Sequence, residues 1–298
     1  MSRDLSQPFV GAWIAGGLGN QLFQFAAAYA YSLRTGAALL LDISFFHHPA
    51  KDRDYALAKL GINEKKWPWV TPTSGARWSI SPRHMAGVLR TKIRQWSLRY
   101  KVISEKRYDY DEAFSLMNSS IYLHGYWQSP LYFADAASQL RDSVKLAPLV
   151  KATPPRAESI RNTMSVAIHV RRGDYATQHS DTFGLIPYEY YAYAASLLRR
   201  SVENPHFFIF SDDYSSARAM FGDWPDATVC PALSPEEDLA QIAFCKHQII
   251  ANSTFSWWGA WLNSNSEKIV IAPKQWAQKK VLLSRYIFDL FPQNWLLL

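Results

Sequence analysis

The chain has 298 residues, 48% of them hydrophobic and 15% aromatic, a composition that excludes a disordered polymer and fits two domains of about 150 residues each. Its two cysteines, Cys230 and Cys245, form no paired ligand pattern, which excludes a disulfide framework and a zinc site and points to a reducing compartment. The net charge is +7, and residues 65–104 hold nine Lys and Arg and no Asp or Glu, so the surplus belongs to one local surface.

The N-terminus lacks an apolar core of signal-peptide length, and no run approaches the roughly 18 apolar residues of a membrane span. A cytoplasmic protein is expected, at most peripheral at the inner membrane face.

Residues 9–14 form a short apolar run, read as a buried strand. Gly16-Gly17-Leu18-Gly19-Asn20-Gln21 follows, and Leu22, Phe25, Ala26, Tyr29 and Leu33 then recur at helical spacing. A second strand at 38–41 closes with Asp42. Strand, glycine turn and helix open a nucleotide-type βαβ unit. Gly17-x-Gly19, with an acid about 20 residues later, mimics a dinucleotide fingerprint. The rival function is therefore a nicotinamide-dependent oxidoreductase using that loop. The third glycine of the fingerprint, however, would fall at Leu22. The reading preferred here brings backbone amides to a ligand at a helix N-terminus, with Asn20 and Gln21 adding hydrogen bonds; a plain tight turn is the bland alternative.

Within the basic stretch Met85, Val88, Leu89, Ile93 and Trp96 keep helical spacing, with Arg90, Lys92, Arg94 and Arg99 between them. A solvated face over a packed stripe is the first expectation, and a peripheral membrane contact through 77–101 the second. No nucleic-acid motif accompanies the charge, so nucleic acid is not expected as a partner. Ile121-Tyr122-Leu123-His124 reads as another strand, after which His124, Trp127 and Gln128 are candidate acceptor contacts. Residues 147–155 read as a linker because Pro154-Pro155 cannot continue a helix, which divides the chain into 1–153 and 154–298.

Beyond that point strand-like runs at 165–170, 207–210, 227–230, 248–251 and 269–272 alternate with helical segments. Ser234-Pro235-Glu236-Glu237 carries a cap, a first-turn proline and a capping-box glutamate. Pro187 opens another helix, with Tyr191, Ala194 and Leu198 on one face. The fold class is α/β, with a doubly wound parallel sheet in this half.

Polar groups gather where these strands end. His169-Val170-Arg171-Arg172-Gly173-Asp174 follows the first strand, Ser211-Asp212-Asp213 the second, and Asn252-Ser253-Thr254-Phe255-Ser256 the fourth. Open α/β sheets bind ligands outside the carboxyl ends of their strands, so the three groups should converge. Paired guanidinium groups suit phosphate oxygens, Gly173 permits close backbone approach, and Asp174 can hold an arginine or bind a hydroxyl. Asn252 to Ser256 also begins a helix, which favours an anion. Cations and carboxylates together suit a nucleoside diphosphate. No phosphate-binding Gly-x-x-x-x-Gly-Lys loop is present. Asp52-Arg53-Asp54 and Asp109-Tyr110-Asp111 are read as surface acids, since neither follows an apolar strand; no metal site is expected.

Gly16-Gly17-Leu18-Gly19-Asn20-Gln21-Leu22-Phe23-Gln24, the His169 to Tyr175 segment, Phe210-Ser211-Asp212-Asp213 and Asn252-Ser253-Thr254-Phe255-Ser256-Trp257-Trp258-Gly259 closely resemble the α-1,2-fucosyltransferases of glycosyltransferase family 11. Gly125-Tyr126-Trp127-Gln128-Ser129 is also similar to a segment of that family. The resemblance implies a GT-B fold, two Rossmann-like domains facing across a cleft, with GDP-β-L-fucose as donor. It also implies inversion at the anomeric carbon, no metal or cofactor, and transfer to the 2-hydroxyl of a terminal galactose, so that GDP-fucose and a galactose-terminated glycan are the partners. Oligomeric state is left open.

Carried over by position, Arg171 and Arg172 resemble the pair that receives the donor diphosphate, and Asp174, His169 and His124 are candidates for the general base. His169, Ser211, Asp212, Asp213, Asn252, Ser253, Thr254 and Ser256 are expected around the donor. Gly17, Asn20 and Gln21 would face the cleft, Gly17 and Asn20 counted with the donor contacts and Gln21 with the acceptor contacts His124, Trp127 and Gln128.

Overall fold

The computed structural model describes residues 7–49, 51–66, 100–106, 109–151, 154–173, 184–277 and 289–298. The helical pattern expected within 85–99 and the candidate Asp174 lie outside these residues. The chain separates into two units, Met1–Val144 with Phe288–Leu290, and Lys145–Ile287 with Phe291–Leu298.

The first unit is built on strands β1 (Phe9–Trp13), β2 (Ala38–Asp42), β3 (Lys65–Lys66), β4 (Lys101–Ser104) and β5 (Ile121–His124), in the order β3-β2-β1-β5-β4. Every pairing is parallel, with Phe9 opposite Ala38 and Val10 opposite Ile121. The helix Leu18–Thr35 connects β1 to β2. Gly16, at φ 72°, makes the turn into it, and Gly36, at φ 71°, ends it by donating its N–H to the Ser32 carbonyl; both need the left-handed conformation that glycine adopts without strain.

The expected stripe on this helix is too narrow. Leu22, Phe25 and Ala26 are buried, as are Phe23, Ala27 and Ala28 beside them, whereas Leu33 is 47% exposed. Most of the helix is enclosed and its last turn is wet, so a one-sided pattern could not describe it. β1 has β2 on one side and β5 on the other, which places the sheet's switch point at the carboxyl ends of β1 and β5.

The second unit carries β6 (Met164–Val170), β7 (Pro205–Ser211), β8 (Ala227–Val229), β9 (His247–Ile249), β10 (Val270–Ala272) and β11 (Leu296–Leu297), ordered β11-β10-β9-β6-β7-β8 and parallel throughout. Alternation along β6 separates two cores. Val166, Ile168 and Val170 pack with Tyr191, Ala194, Leu198, Ala217 and Phe221. Ala167 packs on the other face with Phe208, Phe210, Ile160 and Ile242. Helices therefore cover both faces, as a doubly wound sheet requires.

The stretch expected as a linker is helical instead. Ala147–Lys151 and Pro154–Asn162 are helices, and the first packs on the helix Pro235–Phe244 of the second unit. Pro154 stops one helix but serves in the first turn of the next, where its missing N–H has no partner to lose. Packing of 147–151 on the second unit accounts for the divide at Val144 and Lys145.

The helix Thr254–Leu262 is apolar on every side. Trp257 and Trp258 are fully buried and Trp261 is 6% exposed, with ring centroids of Trp257 at 5.2 Å from Trp258 and 5.4 Å from Trp295. These tryptophans are core and do not form a sugar platform. Cys230 and Cys245 are buried free thiols, and burial pushes the Cys230 thiol up to about 12.

Candidate functional site

Strands β9, β6 and β7 are neighbours, so the segments after them meet at one edge of the second sheet. The connection from β6 runs to β7, and β9 lies on the opposite side, which makes the β6 and β9 ends the switch point. Asp212, just past β7, organises the cluster. Its Oδ2 lies 3.0 Å from Nη1 of Arg171, and its Oδ1 accepts the backbone N–H of Arg172 at 2.9 Å. The carboxylate thus orients one guanidinium and fixes the backbone of the next residue. Nη2 of Arg172 rests 3.2 Å from the Met220 sulfur. A Cβ at Gly173 would lie 2.6 Å from Oδ2 of Asp212, so a side chain here would push that carboxylate aside.

On the other flank Ser253 is the N-cap of the Thr254–Leu262 helix, extended and making no side-chain capping bond. The positive end of the helix dipole faces the same edge. His169 closes the space between the flanks. It is 4% exposed, its ring lies 5.4 Å from that of Phe255, and its buried Nδ1 has no partner among the described residues. Burial first, then the charge of Arg171, depresses its pKa to about 3. Both disfavour the imidazolium, the form a general base must reach, which counts against His169 among the base candidates.

Other expected donor residues serve the frame. Asp213 caps the helix Tyr214–Phe221, accepting from Ser216 N at 3.0 Å, Ser216 Oγ at 2.6 Å and Ser215 Oγ at 2.8 Å; the Ser216 hydroxyl bond leads in holding its carboxyl down to about 2. Ser211 Oγ accepts from Asp213 N at 3.0 Å. Asn252 is 1% exposed and donates to the carbonyls of Gly184 and Trp276, both at 3.3 Å. Ser256 is fully buried and donates to the Ser253 carbonyl at 3.2 Å. Thr254 opens the helix as expected.

In the first unit the β1 and β5 loops meet at that sheet's switch point. Nε2 of Gln128 donates to Oδ1 of Asn20 at 3.0 Å, joining the two loops. His124 is half-buried against Trp13, ring centroids 4.8 Å apart, and burial lowers its pKa. Gln21 departs from expectation: it is fully buried, donates to the carbonyls of Gly16 and Asp54 and accepts from Ala56 N at 2.9 Å. No hydrogen of its amide remains for an acceptor. Trp127, 2% exposed, packs on Phe114 and Tyr132 and belongs to the core. A Cβ on Gly17 would meet nothing nearer than Arg53 Nε at 4.0 Å, so close approach does not explain that glycine.

Asp42, the acid that mimics a ribose ligand, is 1% exposed and accepts from Tyr122 Oη at 2.6 Å and Ser44 N at 2.9 Å. It holds the fold together and does not face a ribose. Asp54 is paired with Lys51 at 2.6 Å and Asp111 caps a short 3-10 turn, as surface acids would. Among the described residues no three His, Cys, Asp or Glu side chains gather as a metal site, and no helix is long and apolar enough to cross a membrane.

Two residues escaped the sequence reading. Gln24 is 1% exposed, accepting from Ala15 N at 2.9 Å and donating to the Gly125 carbonyl at 3.1 Å. Glu105 accepts the N–H groups of Tyr126 and Trp127 at 2.7 and 2.9 Å. Gln24 sits in a motif already singled out, whereas nothing in the sequence around Glu105 signals a partner.

Fold and site define a two-unit α/β protein whose second sheet places two arginines and a helix start at its switch point. The chain belongs to glycosyl transferase family 11, whose profile matches residues 10–298, and it is a glycosyltransferase. An α-1,2-colitosyltransferase of Escherichia coli is 31% identical over 292 residues, spanning 96% of this chain and 97% of that protein. The O-antigen biosynthesis glycosyltransferase WbnK of Escherichia coli is 30% identical, covering 88% of this chain and 93% of its own length. Among solved structures, the fucosyltransferase NodZ from Bradyrhizobium covers 85% of this chain and 92% of its own at 15% identity and a TM-score of 0.46. A mutant of Arabidopsis thaliana FUT1 in complex with GDP covers 89% and 70% at 14% identity and a TM-score of 0.47.

Proposed function

We propose that the protein transfers L-fucose from GDP-β-L-fucose to the 2-hydroxyl of a terminal galactose, with inversion and without a metal. The observation that carries this is the Arg171, Arg172 and Asp212 arrangement opposite an uncapped helix start, supported by family membership and the quoted motifs. In the reaction the acceptor hydroxyl oxygen bonds to C1 of the sugar and gives its proton to a base, for which the Asp174 carboxylate is the candidate, while the bond from C1 to the phosphate oxygen breaks and its electron pair leaves with GDP. Charge therefore builds on the diphosphate in the transition state. The Arg171 guanidinium, held by Asp212, and that of Arg172, whose backbone the same carboxylate fixes, stabilise that state more than the ground state, the condition for raising kcat. The donor is assigned to the second unit, and the acceptor to the β1 and β5 loop ends of the first.

One observation favours a second donor. The Escherichia coli relative is named for colitose, which is fucose without its 3-hydroxyl, so a site for one sugar needs few changes to take the other. An acceptor screen with GDP-fucose and its 3-deoxy counterpart, run in chelator and followed by linkage analysis, separates the readings. An α-1,2-fucosylated galactoside supports the first, and faster turnover of the 3-deoxy donor the second. Loss of transfer on chelation that a divalent ion restores would refute metal independence.

A further inference from the structure

We propose that Glu105 is a positioning residue for the acceptor, acting through the turn at 125–128; the inference rests on the assignment of the acceptor to the first unit. Glu105 follows the exposed edge strand β4, and its own N–H continues the ladder to the His124 carbonyl at 2.9 Å. Its two carboxylate oxygens then take consecutive backbone N–H groups, Oε2 from Tyr126 and Oε1 from Trp127. Successive amides converging on one anion form a nest, which fixes a turn that would otherwise have several conformations.

The turn it fixes is an unusual one. Trp127 has φ 57°, a left-handed conformation that a bulky residue rarely takes. A Cβ at Gly125 would lie 2.4 Å from the Cβ of Glu105, so a glycine is required for the two segments to approach this closely. Gln24 holds the same turn from the other side through the Gly125 carbonyl. The consequence falls on the next residue: with Trp127 locked into the core, Gln128 projects to Asn20 and bonds it at 3.0 Å. That pair lies at the switch point of the sheet, the position from which ligands are gripped. Glu105 therefore sets where Gln128 stands without touching substrate.

Glu105→Gln tests this, because an amide oxygen can accept one N–H while its NH2 opposes the other. The expected result is an acceptor KM raised about tenfold, with the donor KM, the slow hydrolysis of donor in the absence of acceptor, and the thermal shift produced by GDP all unchanged. Gln128→Ala should raise the acceptor KM similarly, and the double variant should be no worse than either single one, since both act at the same point. A variant that melts earlier but keeps its acceptor KM would show Glu105 to be structural only, and additive effects would show that it does not act through Gln128. Should wild-type protein transfer no sugar to any galactoside, the proposed function itself fails; transfer with an unmoved acceptor KM in Glu105→Gln overturns this inference alone.

Discussion

Asp212 does more at the site than its place in the sequence suggests, since one carboxylate serves the Arg171 side chain and the Arg172 backbone. Asp212→Ala should release both and reduce kcat by about 10²–10³, the usual cost of losing one fixed donor to a developing oxyanion, with folding retained because the group is partly exposed. Turnover under saturating donor checks this. Gly173→Ala should resemble it more weakly, because its methyl would displace the same carboxylate.

His169 gives a pH signature. Its folded pKa, about 3, lies below the ordinary histidine value near 6.5, so between these values the unfolded chain binds more protons. Stability should fall as pH drops below about 6.5, by up to about 1.4 kcal/mol per unit. Above that pH the residue should have no effect. His169→Gln should flatten this acid limb in urea titrations at pH 7, 6 and 5; an unchanged slope would mean that the imidazole protonates freely in the folded protein.

At the scale of the element, the helix Pro235–Phe244 shows what local sequence can specify. Ser234 accepts from Glu237 N at 3.3 Å while Glu237 Oε2 accepts from Ser234 N at 3.1 Å, a complete capping box of the kind its sequence announces. Ser234→Ala should cost about 1 kcal/mol and lower Tm by about 2–4 °C without altering kcat; calorimetry reads the first and a transfer assay the second. Gly259 joins this helix to the Thr254–Leu262 helix at close range, since a Cβ there would stand 2.4 Å from Cγ2 of Ile242. Gly259→Ala should cost about 1–3 kcal/mol by overpacking.

Strands β1, β2, β5, β6, β7, β9 and β10 coincide with apolar runs legible in the sequence, because each is buried by contacts that demand such runs; the partly exposed edge strand β8 lies within a run read as a strand as well. β3, β4 and β11 escaped it. They are short, exposed edge strands, and Lys65–Lys66 or Lys101–Ser104 carries no period to detect. The convergence of the β6, β7 and β9 loop ends was legible from topology. The division of labour within them was not, because caps such as Asp213 and ligand-facing groups draw on the same polar residue types.

For the whole molecule, two parallel sheets each place polar loops at a switch point, and the motifs spread from Gly16 to Gly259 fall at those two places. Only the first unit's glycine loop suggested a dinucleotide. The burial of Asp42 beneath Tyr122 leaves that loop without its ribose acid. The most direct test of the account is calorimetric titration of GDP into wild-type protein and into Arg171→Ala. GDP should bind saturably to wild type and at least tenfold more weakly to the variant, and NAD should give no heat. Equal GDP affinity in the two proteins, or saturable NAD binding in place of GDP, would contradict it.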